Sequence, residues 1–234
     1  MPKAIISGAS QGIGRAVALK LAREGFDLAI NARREAPLQV LVKQLQALRP
    51  EGVFLSRPTD MSVKEEVQAF AEYVLQKWPE VDMLVNNAGV FMPGRVHDEP
   101  DGQMEQVLQT NLHSAYYLTR ALVPAMKAAG RGHIFNMCST ASITAYENGG
   151  AYCIAKHALY GMHKVLRKEM IPYNVRVTAL LPGPTYTASW EGVDLPQDRF
   201  MRAEDIADSL WHAYQLSDRT VVEDIVLRPQ EGDL

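Results

Sequence analysis

Tyr152 and Lys156 stand four residues apart in the run Ala-Tyr-Cys-Ile-Ala-Lys, a segment with helical character from residue 151 onward. That spacing places both side chains on one helix face, a turn apart. A phenol with a pKa of about 10 is a poor acid or base at neutral pH. A neighbouring ammonium favours the phenolate and lowers that value, so the tyrosine can exchange a proton with a substrate oxygen. Ser139 follows the apolar run His-Ile-Phe-Asn-Met-Cys of residues 133–138, which reads as a buried strand. If strand and helix pack side by side, the Ser139 hydroxyl comes near the Tyr152 phenol and can hold the same oxygen. Such a set suits moving a proton on or off a carbonyl or an alcohol. A Tyr four residues before a Lys is also what an ordinary amphipathic helix carries, so the rest of the chain has to decide between the two readings.

The bulk composition narrows the classes. The 234 residues are 47% hydrophobic and 22% charged, the balance of a globular domain rather than a disordered or fibrous chain. A net charge of -3 implies no broad basic surface, so no nucleic-acid partner is expected. No apolar run is long enough to span a bilayer, and the chain turns into strand from Lys3, which leaves no room for a signal peptide. A cytoplasmic protein without a membrane partner is the expectation. Cys138 and Cys153 make neither a disulfide framework nor a metal cluster, and each reads as a small buried thiol. No metal site is expected.

The elements that must position the reactive residues alternate along the chain. Apolar runs at 3–7, 27–32, 52–57, 82–86, 133–138, 174–181 and 221–227 read as strands. Helical patterns at 37–48, 63–78, 102–129, 151–171 and 203–216 lie between them, and another follows Gly14. Pro124 is expected to bend the 102–129 helix. His113 and His163 read as ordinary helix residues. Alternation from end to end predicts an α/β protein, one doubly wound sheet of about seven parallel strands with helices on both faces. No linker or composition break divides it, so residues 1–234 read as a single domain. The ligand belongs at the strand C-termini, near the point where the strand order reverses.

Two motifs sit at those ends. The first strand runs into Ser7-Gly8-Ala9-Ser10-Gln11-Gly12-Ile13-Gly14 and then a helix, an order that presents backbone N–H groups and a helix N-terminus to a phosphate. The fourth runs into Asn86-Asn87-Ala88-Gly89. With Ser139, Tyr152 and Lys156, these motifs resemble the short-chain dehydrogenase/reductase family over essentially the whole chain. The family opens with Thr-Gly-x-x-x-Gly-x-Gly, and Ser7 replaces that Thr while keeping a hydroxyl. The resemblance implies a Rossmann-type fold and hydride transfer between a nicotinamide cofactor and a carbonyl or secondary alcohol. It further implies that Tyr152 is the acid–base residue, Ser139 orients the substrate oxygen, and Lys156 tunes Tyr152 and binds the nicotinamide ribose. Asn111, within the 102–129 helix, would complete the set by holding a water.

By the same resemblance, Gly8, Ser10, Gln11, Gly12, Ile13, Gly14, Asn87, Ala88 and Gly89 line the cofactor, and Asp60 with Met61 meets the adenine. Asp60 or Ser62 also reads as an N-cap for the 63–78 helix. Pro182 and Gly183 precede Thr185, whose backbone lies along the nicotinamide, and Thr187, which binds its carboxamide. An NAD site carries an acidic residue near the end of the second strand to accept from the 2′-hydroxyl. This chain has Asn31, Ala32, Arg33 and Arg34 there. Guanidinium groups attract a 2′-phosphate that a carboxylate would repel. The cofactor read from this is NADP(H) rather than NAD(H), with Arg33 ahead of Arg34 as the ligand and Arg15 assisting. The other reading of the two arginines is a solvated loop.

Phe91, Tyr146 and Trp190, with Met92 and Thr144, outline a largely apolar substrate pocket, and 187–201 reads as a lid over it. A small or medium ketone is expected, such as a 3-oxo or 3-hydroxy acid or acyl group, in a branch with 3-hydroxy acid dehydrogenases and 3-oxoacyl reductases. A generic carbonyl reductase stands beside it. The family packs the 102–129 and 151–171 helices into a homodimer or homotetramer. The ending Arg-Pro-Gln-Glu-Gly-Asp-Leu departs from the Asp-Gly-Gly turn often found there. A non-catalytic NADP-binding regulator and a flavodoxin-like module are the rivals from other classes. The former would lack one of the four reactive residues and the latter the Asn-Asn-Ala-Gly run.

Overall fold

A computed structural model describes residues 1–187 and 194–233. Seven strands form one sheet in the order β3-β2-β1-β4-β5-β6-β7, every neighbouring pair parallel. They are β1 (Lys3–Ile6), β2 (Asp27–Ala32), β3 (Phe54–Pro58), β4 (Met83–Asn86), β5 (Gly132–Met137), β6 (Val175–Pro182) and β7 (Asp224–Leu227). The helices are α1 (Gly12–Arg23), α2 (Glu35–Leu48), α3 (Lys64–Lys77), α4 (Gln103–Leu108), α5 (Ser114–Ala129), α6 (Gly150–Met170) and α7 (Ala203–Gln215). The chain builds outward from β1 through β3, then crosses to β4 on the other side of β1. The crevice between the ends of β1 and β4 is therefore the switch point where ligands bind in such sheets.

Alternate side chains of a strand face opposite sides of the sheet. Ile6, Leu28 and Ile30 pack with Val17, Leu21, Leu41, Ile206 and Leu210 in one core layer. Ile5, Ala29 and Leu84 pack with Val67, Phe70, Leu118, Leu122 and Leu166 in the other. Among the described residues no helix is long and apolar enough to cross a membrane.

The helix expected over 102–129 is three pieces. Residues Gln109–His113 form a π-helical turn between α4 and α5. The Ser114 N–H reaches back five residues to the Gln109 carbonyl. The Ser114 hydroxyl then donates to the Thr110 carbonyl at 2.6 Å, satisfying the acceptor that the lost regular bond would have orphaned. Such turns widen a helix locally and recur at functional sites. Pro124 lies inside α5, which continues through it to Ala129. The last strand is shorter than the 221–227 run, and its pairing with β6 continues one bond further, the Gly183 N–H donating to the Leu227 carbonyl at 2.8 Å.

Asparagines interrupt the buried strands, and their side chains tie the sheet to α5 and α6. Asn86 Nδ2 donates to Thr119 Oγ1 and to Asn136 Oδ1, both at 2.9 Å. Asn136 Nδ2 lies 3.4 Å from His163 Nδ1. His163 is fully buried, not an ordinary helix residue, and stacks on Tyr160. Burial pulls its pKa down to about 4, with Lys164 and Arg167 adding to the effect and Asp224 and Glu223 opposing it. A depressed histidine pKa makes the folded protein take up its proton later than the unfolded chain. Stability is then complete above the unfolded value of 6.5 and is lost as pH falls toward 4. The melting temperature should hold from pH 8 to 6.5 and drop by about 5 °C or more by pH 5. His163→Gln should flatten that drop, with buried His133, shifted in the same direction, keeping part of it. Parallel wild-type and variant curves in a thermal melt series would contradict this.

Candidate active site

The chain leaves β1 through Ser7, and this hydroxyl joins the ends of β1 and β4. Its Oγ donates to the Val85 carbonyl at 3.4 Å and accepts from the Asn87 and Ala88 N–H groups, both at 3.0 Å. Asn87 Nδ2 returns the contact, donating to the Ser7 and Gly8 carbonyls at 2.9 and 3.0 Å. From β2, Asn31 Oδ1 accepts from the Gly8 N–H at 3.0 Å, and its Nδ2 lies 3.2 Å from Met61 Sδ. Strand ends that would otherwise leave buried backbone groups unpaired are thus held open and satisfied. Gly8 takes a φ of +66°, which favours glycine. A Cβ on Gly14 would collide with Asn87 Nδ2 and the Gly8 carbonyl. The start of α1 therefore lies directly against the strand ends. Gln11 caps it with no side-chain bond, and among the described residues no acid stands in its first turn. Such a helix N-terminus suits an anion.

A cleft of about 870 Å³ opens above these ends. On the β2–β3 side it is lined by Arg33, Arg34, Asp60 and Met61, and over α1 by Gly8, Ser10, Gln11, Gly12, Ile13 and Gly14. Asn87, Ala88 and Gly89 follow from β4, and Pro182, Gly183, Thr185 and Thr187 from β6. Among the described residues, neither Arg33 nor Arg34 forms an ion pair, and both are exposed. Asp60 Oδ1 accepts from the Ser62 amide at 2.9 Å and its hydroxyl at 2.7 Å. Burial acts to raise this carboxyl, but the two Ser62 bonds and the Arg33 charge together hold it below its usual range. The Asp60 amide is itself bound by Glu66 at 2.6 Å. Arg15 lies outside the cleft lining and donates to Gln44 at 3.0 Å.

Ser139, Tyr152 and Lys156 line the same cleft beyond β5. Lys156 is only 5% exposed, and its Nζ donates to the Met137 carbonyl at 2.8 Å while lying 5.7 Å from the Tyr152 ring centre. Ser139 caps the turn Thr140–Ser142, accepting from the Ala141 N–H at 3.1 Å, and its Oγ lies 3.4 Å from the Pro182 carbonyl. Phe91 meets the Tyr152 ring edge-on, centroids 5.1 Å apart. Burial pushes the Tyr146 phenol up, with Tyr152 and Cys153 adding to it, so Tyr146 is a poor acid in the cleft. Burial pushes the Cys138 thiol up to about 12, against the opposing pull of Lys156 and Ser142. It is an inert thiol at neutral pH.

Asn111 sits on the π-helical turn, buried behind the cleft, and its amide is committed to the loop after β4. Oδ1 accepts from the Val90 N–H at 2.7 Å and Nδ2 donates to the Val90 carbonyl at 2.9 Å. Trp190 lies outside the described residues, as do 188–193 of the expected lid. Gln106, Thr110 and Asp233 line the cleft without having been singled out from sequence. Asp233 arrives from the tail after β7, paired with Arg228. Asn31, Asn86 and Asn136 had a readable signal, since a polar residue in a continuous apolar run is out of place in a buried parallel strand.

Residues 2–197 match the family model described as short chain dehydrogenase. The chain is 35% identical to a sepiapterin reductase of Chlorobaculum tepidum, covering 98% of this chain and 97% of that protein. It superposes on an alcohol dehydrogenase of the archaeon Thermococcus sibiricus, complexed with 5-hydroxy-NADP, with a TM-score of 0.92 at 27% identity, covering 100% and 99% of the two chains. L-sorbose reductase of Gluconobacter frateurii, complexed with NADPH and L-sorbose, gives 0.88 at 27% identity over 97% and 95%.

The hydroxyl at position 7 should prove essential to the strand-end geometry. Ser7→Ala strands two backbone donors and should cost about 2–4 kcal/mol, lowering the melting temperature by about 8 °C. Ser7→Thr should restore most of it in the same thermal melt.

Proposed function

The chain belongs to the short-chain dehydrogenase/reductase family, and on that premise we propose that it is an NADP(H)-dependent reductase of uncharged ketones of small or medium size. The observation that carries the cofactor is the end of β2, where Arg33 and Arg34 stand exposed beside the cleft in place of an acid. Arg33, backed by Arg34, would hold a 2′-phosphate through paired, charge-assisted bonds. The uncapped start of α1 would hold the pyrophosphate, Asp60 and Met61 the adenine side, and Thr185 and Thr187 the nicotinamide side. The close approach of the start of α1 to the strand ends, which Gly8 and Gly14 permit, supports this fit. The bound nucleotides of the Thermococcus and Gluconobacter enzymes support the same choice.

The nicotinamide, when bound, supplies the hydride for reduction or receives it in the reverse direction. The rest falls to this chain's own side chains. Ser139, held by its own turn, donates to the substrate oxygen and orients it. Tyr152 gives that oxygen its proton in the reductive direction and removes it in the other. Lys156 holds its amine 5.7 Å from the Tyr152 ring centre, and its donors beyond Met137 reach toward the ribose side of the cleft. Asn111 acts at one remove, by holding Val90 and hence the wall that carries Phe91. Tyr146 and Cys138, the other proton-bearing groups near the serine, are both pushed up by burial and are poor proton donors.

The substrate end combines Phe91 with Gln106, Thr110, Thr144 and Tyr146, apolar surface with uncharged hydrogen-bonding groups. This supports a neutral ketone over the 3-oxo acid. The sugar ketone of the Gluconobacter enzyme points the same way, and the Chlorobaculum relative makes sepiapterin a second substrate to try. Exposed Tyr116 on α5 and Ile154 and Val165 on α6 support a homodimer formed through these helices. The free thiols of Cys138 and Cys153 support a reducing compartment such as the cytoplasm. Residues 1–234 read as one domain, since a single sheet runs from β1 to β7.

Nicotinamide fluorescence should show NADPH binding at least about tenfold tighter than NADH, and Arg33→Ala should remove most of that preference; a chain that binds NADH better would overturn the assignment. Tyr152→Phe should cut turnover by about 10²-fold or more with NADPH affinity nearly intact. A panel of L-sorbose, cyclohexanone, sepiapterin and an ester of 3-oxobutanoate should be reduced in preference to free 3-oxobutanoate. Light scattering at micromolar concentration should give a dimer or a multiple of it.

A further inference from the structure

The helix that carries Tyr152 and Lys156 begins without any cap of its own. At its start, Gly149 offers no side chain, and among the described residues no acid stands in the first turn of α6. The first N–H groups of a helix have no partner within it and carry the positive end of its dipole. Here the partner comes from 52 positions earlier in the chain, where Glu99 Oε1 accepts from the Ala151 N–H at 2.7 Å. Ala151 is the residue immediately before Tyr152.

Two glycines make the space for this carboxylate. A Cβ on Gly94 would lie 2.6 Å from Glu99 Cγ, and one on Gly150 would collide with Glu99 Oε1. Around Glu99 the loop after β4 is fastened to the turn before α6 at three further points. The Gly94 N–H donates to the Asn148 carbonyl at 3.0 Å, Arg95 Nε to Asn148 Oδ1 at 3.2 Å, and Arg95 Nη2 to Glu147 at 2.8 Å. The Gly94 backbone also pairs with Gly149 and lies against Gly150 at the helix start, Glu99 supplies the side-chain bond to the helix, and the Arg95 contacts are exposed and correspondingly weak. The same loop delivers Phe91 to the edge of the Tyr152 ring. Its other end is held through Val90 by Asn111.

We propose that Glu99 is a positioning residue for Tyr152: its carboxylate caps α6 across the fold and sets where the phenol stands in the cleft. A tyrosine in the first turn of a helix is in the part that frays first, so its place depends on what closes that end. A charge-assisted bond to a buried-side amide is the strong form of such a cap. Because Glu99 sits on the loop that walls the substrate side, the cap also couples that wall to the acid–base residue. The effect on turnover rests on the carbonyl-reductase reading, whereas the cap itself does not.

The test measures kcat, KM, NADPH affinity and backbone amide exchange for Glu99→Ala and Glu99→Gln, using the best ketone of the panel above. Glu99→Ala should lower kcat about 10- to 100-fold, the scale on which a misplacement of about 1 Å acts, with NADPH affinity within twofold. Exchange at Ala151 and Tyr152 should quicken at least tenfold while the amides of 163–170 stay protected. Glu99→Gln keeps an acceptor oxygen and should recover kcat to within about threefold. Should Glu99→Ala fail to fold, Glu99→Asp, its carboxylate withdrawn by one methylene, carries the same expectation of a loss in kcat and protection. Wild-type kcat and exchange in Glu99→Ala would overturn the proposal, and so would a parallel loss of NADPH affinity, which marks a general collapse of the cleft. If the wild-type protein reduces none of the ketones, the carbonyl-reductase reading fails, and the exchange measurement alone still decides the cap.

Discussion

A buried ammonium has to be met by acceptors, and the bond from Lys156 Nζ to the Met137 carbonyl is how this fold meets that demand. Lys156 belongs to α6 and Met137 to β5, two residues before Ser139. One hydrogen bond of 2.8 Å therefore sets the helix that carries the phenol against the strand that carries the serine. Two turns further along α6, His163 reaches Asn136 of the same strand. With two attachments on one face, α6 can neither rotate nor slide on the sheet without breaking a buried polar contact. Breaking either would leave unpaired groups in a low-dielectric interior.

The cleft itself follows from a conflict at the switch point. β1 and β4 must separate there to leave a crevice, yet separated strands expose backbone donors and acceptors away from water. Ser7, Asn87 and Asn31 resolve this by replacing ladder bonds with side-chain bonds. The strand ends stay apart and remain satisfied. The floor is built of small residues, so the start of α1 comes close enough for its N–H groups to face a ligand.

Loop segments complete the site in a way that links its halves. The loop after β4 is fixed at one end by Asn111 on the π-helical turn and at the other by Glu99 on the start of α6. The turn itself is made possible by Ser114, whose hydroxyl takes the carbonyl left over when the helix widens. A distortion in one helix and a cap on another thereby bear on the same wall of the cleft.

The chain's own order of residues determined the alternating strands and helices, the glycine turn after β1 and the Tyr152–Lys156 spacing, because each of these is a local pattern. Helix faces repeat every three to four residues and buried strands are continuous apolar runs, so both are legible in a window of about a dozen residues. Arg33 and Arg34 were legible for the same reason, as a charge choice at a known end of a known strand. Asn111, His163 and Glu99 were not, since what each does depends on partners 21, 27 and 52 positions away. Nothing in the run around Asn111 announces that its amide will hold Val90, or that the helix there will widen by one residue. Nothing near Gly149 indicates that a distant carboxylate will cap α6. Only the packed tertiary structure decides these, because hydrogen-bond partners across a fold are chosen by which elements the core brings together, and no local period encodes that choice.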